Sequence, residues 1–156
     1  MKMTLSNLGY WLLSLIYWGV FLFMYLKFGL GNSVWSLILL AVGLVLGNLI
    51  VTMDRKWLQP YYGGRDLMSR SLLFLIVMAP LGLFVVTSTG SLIGIGLVLG
   101  FELMSTWQMI KVSRDSQLFH QTYLTQLRRN LTSGEIKIMV GIQGFVTGLL
   151  LLLSLV

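Results

Sequence analysis

Few residues in this chain could carry out acid–base, nucleophilic or metal chemistry. There are five acids, Asp54, Asp66, Glu102, Asp115 and Glu135, a single histidine, His120, and no cysteine. Four of the acids lie in polar segments. Glu102 alone falls inside an apolar run, Gly90 to Ile110 (GSLIGIGLVLGFELMSTWQMI), long enough to cross a bilayer. A carboxyl group in lipid is costly when ionised, so it must be protonated, paired or beside water. Each condition suits proton or cation handling, and the first two equally suit a hydrogen bond to a neighbouring helix. At about 100° per residue, Ser105, Thr106 and Val98 share the face of Glu102, while Gly96 and Gly100 point to roughly the opposite side. Asn48 and Gln143 are strongly polar residues deep in other apolar runs, and both are candidate partners for Glu102.

Other chemistries are excluded. Without cysteine there is no disulfide, thiolate nucleophile or thiolate metal site, and one histidine cannot build a multi-histidine centre. No second carboxylate lies within a span to pair with Glu102. Ser113, Asp115 and His120 share one polar segment but lack the strand-to-helix elbow and oxyanion donors that a triad requires. Gly94 and Gly96 have neither the lysine nor the preceding strand of a phosphate loop. No cofactor or metal is evident, and the balance favours a non-enzymatic role.

The elements that must hold these residues are membrane helices. The chain has 156 residues, 56% hydrophobic and 10% charged, with a mean hydropathy of +0.86, whereas a soluble domain is usually about 25% charged. The expected fold is all-α, a polytopic transmembrane helical bundle forming one domain over residues 1–156 with about five spans, at 8–30, 33–53, 72–89, 91–110 and 138–156. Trp11, Tyr17 and Trp18 in the first span read as interface or packing aromatics. Small residues spaced for close helix approach occur in three spans: Gly43 and Gly47, Gly96 and Gly100, and Gly141, Gly144 and Gly148. Spans 2, 4 and 5 are therefore expected to pack through their glycine faces. Spans 2 and 4 also share the string GLVLG, at Gly43–Gly47 and Gly96–Gly100, preceded in both by Ser-Leu-Ile. Pro80 should kink the third span and is a candidate hinge. Thr87 to Ser91 should form a tight hairpin.

Two polar connections carry most of the charge. Arg55, Lys56, Arg65 and Arg70 interleave with Trp57, Tyr61 and Tyr62 in the segment Asp54 to Ser71, a pattern suited to lipid headgroups. The segment Lys111 to Lys137 repeats apolar residues at Phe119, Tyr123, Leu127 and Leu131, which predicts a cytoplasmic amphipathic helix between spans 4 and 5. Arg128 and Arg129 would complement its C-terminal dipole and meet headgroups. Thr132-Ser133-Gly134-Glu135 predicts a capping box opening the last helix. Nine of the eleven lysines and arginines fall in these two connections, and with five spans the positive-inside rule gives N-terminus in, C-terminus out. The net charge of +6 is accounted for by this flanking pattern, so nucleic acid is not an expected partner.

Val86 to Gly100, VTSTGSLIGIGLVLG, together with the proline-broken span before it, resembles small multi-pass membrane proteins of environmental and candidate-phylum bacteria. The resemblance implies a bacterial membrane setting and no particular activity, and the expected location is the inner (cytoplasmic) membrane. The leading expectation is a small membrane subunit or accessory protein that packs against partner helices and lipid, in a homo-oligomer or larger membrane complex. The alternative is an oligomeric proton- or cation-linked transporter or channel using Glu102.

Overall fold

The computed structural model describes residues 8–28, 34–53, 72–124 and 131–155. Among them are six helices and no strand: α1 (Leu8–Phe28), α2 (Val34–Met53), α3 (Leu72–Ser88), α4 (Leu92–Val112), α5 (Ser116–Tyr123) and α6 (Ser133–Leu153). Three of these, α2, α4 and α6, are long and apolar enough to cross a membrane. The protein is thus a membrane protein, helical across the described residues, and the lipid-length runs fold as helices because only a helix satisfies every backbone group within its own segment.

Local signals set the ends. Gly90 takes a left-handed φ of +58°, open to glycine without a Cβ penalty, and so turns α3 back into α4. Ser91 then caps α4, its hydroxyl accepting from Gly94 N at 3.2 Å. Asp115 caps α5 by accepting from the Gln117 and Leu118 amides at 3.0 and 3.1 Å. The capping box of α6 forms as the sequence predicts. Glu135 N donates to Thr132 Oγ1 at 3.4 Å, and Thr132 N donates to Glu135 Oε2 at 2.8 Å. Helix α6 therefore begins at Ser133, five residues before the apolar run at Ile138. Helix α3 continues through Pro80 from Leu72 to Ser88, with Pro80 on an exposed face.

Helix α4 is central. From Ile95 to Ser105 every residue but Leu97 is buried, and 61% of its spanning window is covered by the rest of the chain, against 22% for α6. Its most extensive neighbour is α2, and the two shared GLVLG strings meet each other in register. A methyl group at Gly43 would lie 2.9 Å from Gly96 Cα, one at Gly47 2.7 Å from Phe101 N, and one at Gly100 3.0 Å from the Leu44 carbonyl carbon. Gly43 faces Gly96 and Gly47 faces Gly100, so α2 and α4 run parallel with their backbones in direct contact.

Helices α1, α3 and α6 run the other way. Val85 lies against Gly94 and Gly82 against Val98, which makes α3 antiparallel to α4. Leu150 also reaches Gly82, so the C-terminal half of α6 lies beside the N-terminal half of α4. Helix α1 starts with Gly9 against the Trp107 ring, near the end of α4, and its Tyr17 hydroxyl meets Ser154 Oγ at 2.7 Å, near the end of α6. Direction therefore alternates through α1, α2, α3, α4 and α6.

The amphipathic helix is shorter than its periodicity predicts. Helix α5 ends at Tyr123, and Phe119, Tyr123 and Leu124 are buried against the ends of α4 and α6 rather than spread on a surface. The rings of Phe119 and Tyr123 stand 5.2 Å apart. Leu127, Arg128 and Arg129 lie outside the described residues, as do Arg55, Lys56, Trp57, Tyr61, Tyr62, Arg65 and Arg70.

Candidate functional site

The candidate site is the polar layer between α4 and α6. Glu102 projects from the covered stretch of α4 and is 1% exposed. Gln143 comes from the buried face of α6, and its Nε2 donates to Glu102 Oε2 at 2.6 Å. One turn along α6, Thr147 donates to the Gln143 carbonyl at 3.0 Å, which leaves its oxygen to accept from Thr106 of α4 at 2.7 Å. Two helices are thereby joined by two side-chain bonds, one through a carboxyl–amide pair and one through a pair of hydroxyls. Ser105 is buried on the same face of α4 as Glu102.

No lysine or arginine pairs with Glu102 among the described residues. Its polar neighbours are the Gln143 amide and threonine hydroxyls, which orient a carboxyl group without supplying a counter-charge. The second oxygen, Oε1, is buried and has no hydrogen-bond partner. Among the described residues no three histidines, cysteines or acids gather where they could hold a metal ion.

Asn48 is not part of this layer. It is buried, but its carbonyl and side-chain oxygens both face Thr52 of its own helix, at 2.9 and 3.4 Å. In the parallel register Asn48, which follows Gly47 on α2, comes level with Phe101 of α4. Comparison of the chain with protein-family models, curated proteins and solved structures gives no match. The arrangement of residues therefore carries the functional argument.

The glycines divide into two groups. Gly43, Gly47, Gly96 and Gly100 are consumed by the α2–α4 contact, whereas a methyl group at Gly141, Gly144 or Gly148 would meet nothing within 4 Å. Among the described residues, nothing packs against the α6 glycines, whereas the sequence led us to expect the last span to pack through them. It faces α4 with Gln143, Thr147 and Leu150 and turns the glycines outward because the polar side chains have partners only inside. The triad-like residues are likewise committed elsewhere. Asp115 caps α5, and Ser113 Oγ donates to the Ile110 carbonyl at 2.7 Å. Lys111 stands 5.3 Å over the Trp107 ring.

Sequence reasoning missed Ser14 of α1 and gave Trp18 only an interface or packing role, whereas the polar atoms of both are buried without partners. The available signal was a serine four residues before a tryptophan in an otherwise apolar helix.

Proposed function

We propose that the protein is a small, non-enzymatic membrane subunit that presents the glycine face of α6 to a transmembrane helix of a partner. The observation that carries this reading is the contrast between the two glycine groups. Glycine is the poorest helix former after proline, at a cost of about 1 kcal/mol relative to alanine. In α2 and α4 that cost is offset by direct backbone approach. On α6, three glycines stand in open space on one side of the helix, flanked by the exposed side chains of Ile138, Phe145 and Leu152. Lipid chains need no such groove, whereas a second helix does.

Five spans, N-terminus in and C-terminus out, complete the proposal. It is supported by the alternating directions of α1, α2, α3, α4 and α6 and by the length of α1, whose 21 residues extend about 31 Å at 1.5 Å per residue. In this orientation the basic connections face the cytoplasm and their arginines and lysines meet anionic headgroups. A bacterial inner membrane is the proposed location, the bacterial setting being what the resemblance of Val86 to Gly100 implies.

The test is native mass spectrometry of the protein extracted gently from its own membranes, as wild type and as Gly144→Leu. The expected result is a stoichiometric complex, with a second copy or another membrane protein, that the substitution dissociates while the released chain stays folded. A monomer in both samples would refute the reading.

A second reading, a proton- or cation-linked transporter, is favoured by the burial of Glu102 at the bundle centre without a counter-charge among the described residues. It predicts that Glu102→Gln abolishes flux in reconstituted vesicles while the fold survives. Unchanged flux removes it.

A further inference from the structure

Three buried polar atoms among the described residues have no hydrogen-bond partner in the protein: Glu102 Oε1, Ser14 Oγ and Trp18 Nε1. All three belong to α1 and α4, which pack against each other. Glu102 is 1% and Ser14 8% exposed, so neither is served by solvent or headgroups from outside. An unpaired polar group in a membrane interior costs several kcal/mol, and three in one small bundle call for a common partner.

The helix register places them at similar levels of the bundle. Ser14 and Trp18 are one turn apart on the same face of α1. Gly9 lies against Trp107, and Tyr17 meets Ser154 beside the opposite end of α4. Between these two anchors, Ser14 comes within about one helical turn (~5.4 Å) of Glu102 along the bundle axis. Helical side chains lean toward the N-terminus of their own helix. Because α1 and α4 run in opposite directions and Gly9 lies at Trp107, Trp18 sits about one turn from Glu102 toward the α4 N-terminus, and the Glu102 carboxyl and the Trp18 indole lean toward each other.

We propose that α1 and α4 hold one buried water molecule through Glu102, Ser14 and Trp18. The donor and acceptor inventory selects the ligand. An indole N–H only donates, a serine hydroxyl donates or accepts, and a carboxyl oxygen accepts, or donates when protonated. Water matches this set in either protonation state of Glu102: it accepts from Trp18 and exchanges hydrogen bonds with Ser14 and Glu102. Three partners is the usual number for a buried water. A sodium ion fits poorly, because the indole N–H presents its positive end to the site. The water links the second oxygen of Glu102 to α1, as Gln143 links the first to α6, so one carboxyl group ties three helices together. This inference does not depend on the reading of the α6 face.

The test uses the full chain labelled with [15N]tryptophan in lipid nanodiscs. Trp18→Phe assigns the Trp18 indole among the five tryptophans. The expected result is a rotating-frame cross-peak between the Trp18 indole proton and a water resonance, from an indole that exchanges only slowly with bulk D2O. Ser14→Ala, a small change that preserves packing, should weaken that cross-peak and leave the other indole signals in place. Two results overturn the proposal: a Trp18 indole with no water cross-peak in the folded wild type, or a Trp18 signal that titrates with sodium but not with choline, which identifies a cation at the site.

Discussion

Substituting Gly47 by alanine should damage the bundle more than its single added methyl group suggests. The new Cβ would run into the Leu97 carbonyl oxygen and lie 2.7 Å from Phe101 N and 3.0 Å from the Gly100 carbonyl carbon. All of these are backbone atoms of α4, so no side chain can swing aside. Ordinary contacts between heavy atoms are about 3.5–4.0 Å, and α2 must therefore retreat by roughly 1 Å, enough to forfeit a quarter to a half of the dispersion energy of each contact along the seam. The expected loss lies in the overpacking range, about 1–3 kcal/mol, or roughly 5- to 150-fold in the folded-to-unfolded ratio. Denaturation in mixed micelles, followed by circular dichroism and tryptophan fluorescence, reads this directly. Gly148→Ala is the matched control, since its methyl group enters open space and gains helix propensity. If Gly47→Ala is as stable as wild type, the backbone-to-backbone α2–α4 seam is wrong.

Three further outcomes are expected. Gln143→Leu leaves both oxygens of Glu102 without a protein partner and should cost about 1–3 kcal/mol; equal stability to wild type in the same denaturation assay would contradict the bond. A double-mutant cycle of Thr106→Val and Thr147→Val should give a coupling of about 0.6 kcal/mol, the mean for interhelical hydrogen bonds in a membrane protein, and zero coupling would separate α4 from α6 at that level. Thr132→Ala removes the cap of α6 and should cost about 1 kcal/mol, seen as faster amide exchange confined to its first turn.

How much of this could be read from the sequence depended on the range of the interaction involved. The capping box was legible because Thr132 and Glu135 are three residues apart and need only each other. Burial of Glu102 followed from lipid-length flanks, and Gln143 was a sound candidate because an amide in an apolar helix must find a polar group. Which of Gln143 and Asn48 would reach Glu102 was not legible, since that depends on the register between helices distant in sequence. The GLVLG strings were visible, but not that each packs on the other. The glycines of α6 look like those of α2 and α4 in spacing, yet their outward orientation follows from where Gln143 and Thr147 find partners. The reach of α5 was overestimated because an amphipathic period marks a buried face without saying where the helix stops, and here it stops at Tyr123.

The claim that α6 meets a partner helix can be tested most directly by photo-crosslinking in native membranes. With benzoylphenylalanine at Phe145, 71% exposed beside the outward glycines, one protein adduct of defined mass is predicted, and Gly144→Leu should abolish it. The same probe at Ile76, 62% exposed on α3, should capture lipid only. Lipid adducts alone at both positions would contradict the account and leave the α6 glycines without a partner.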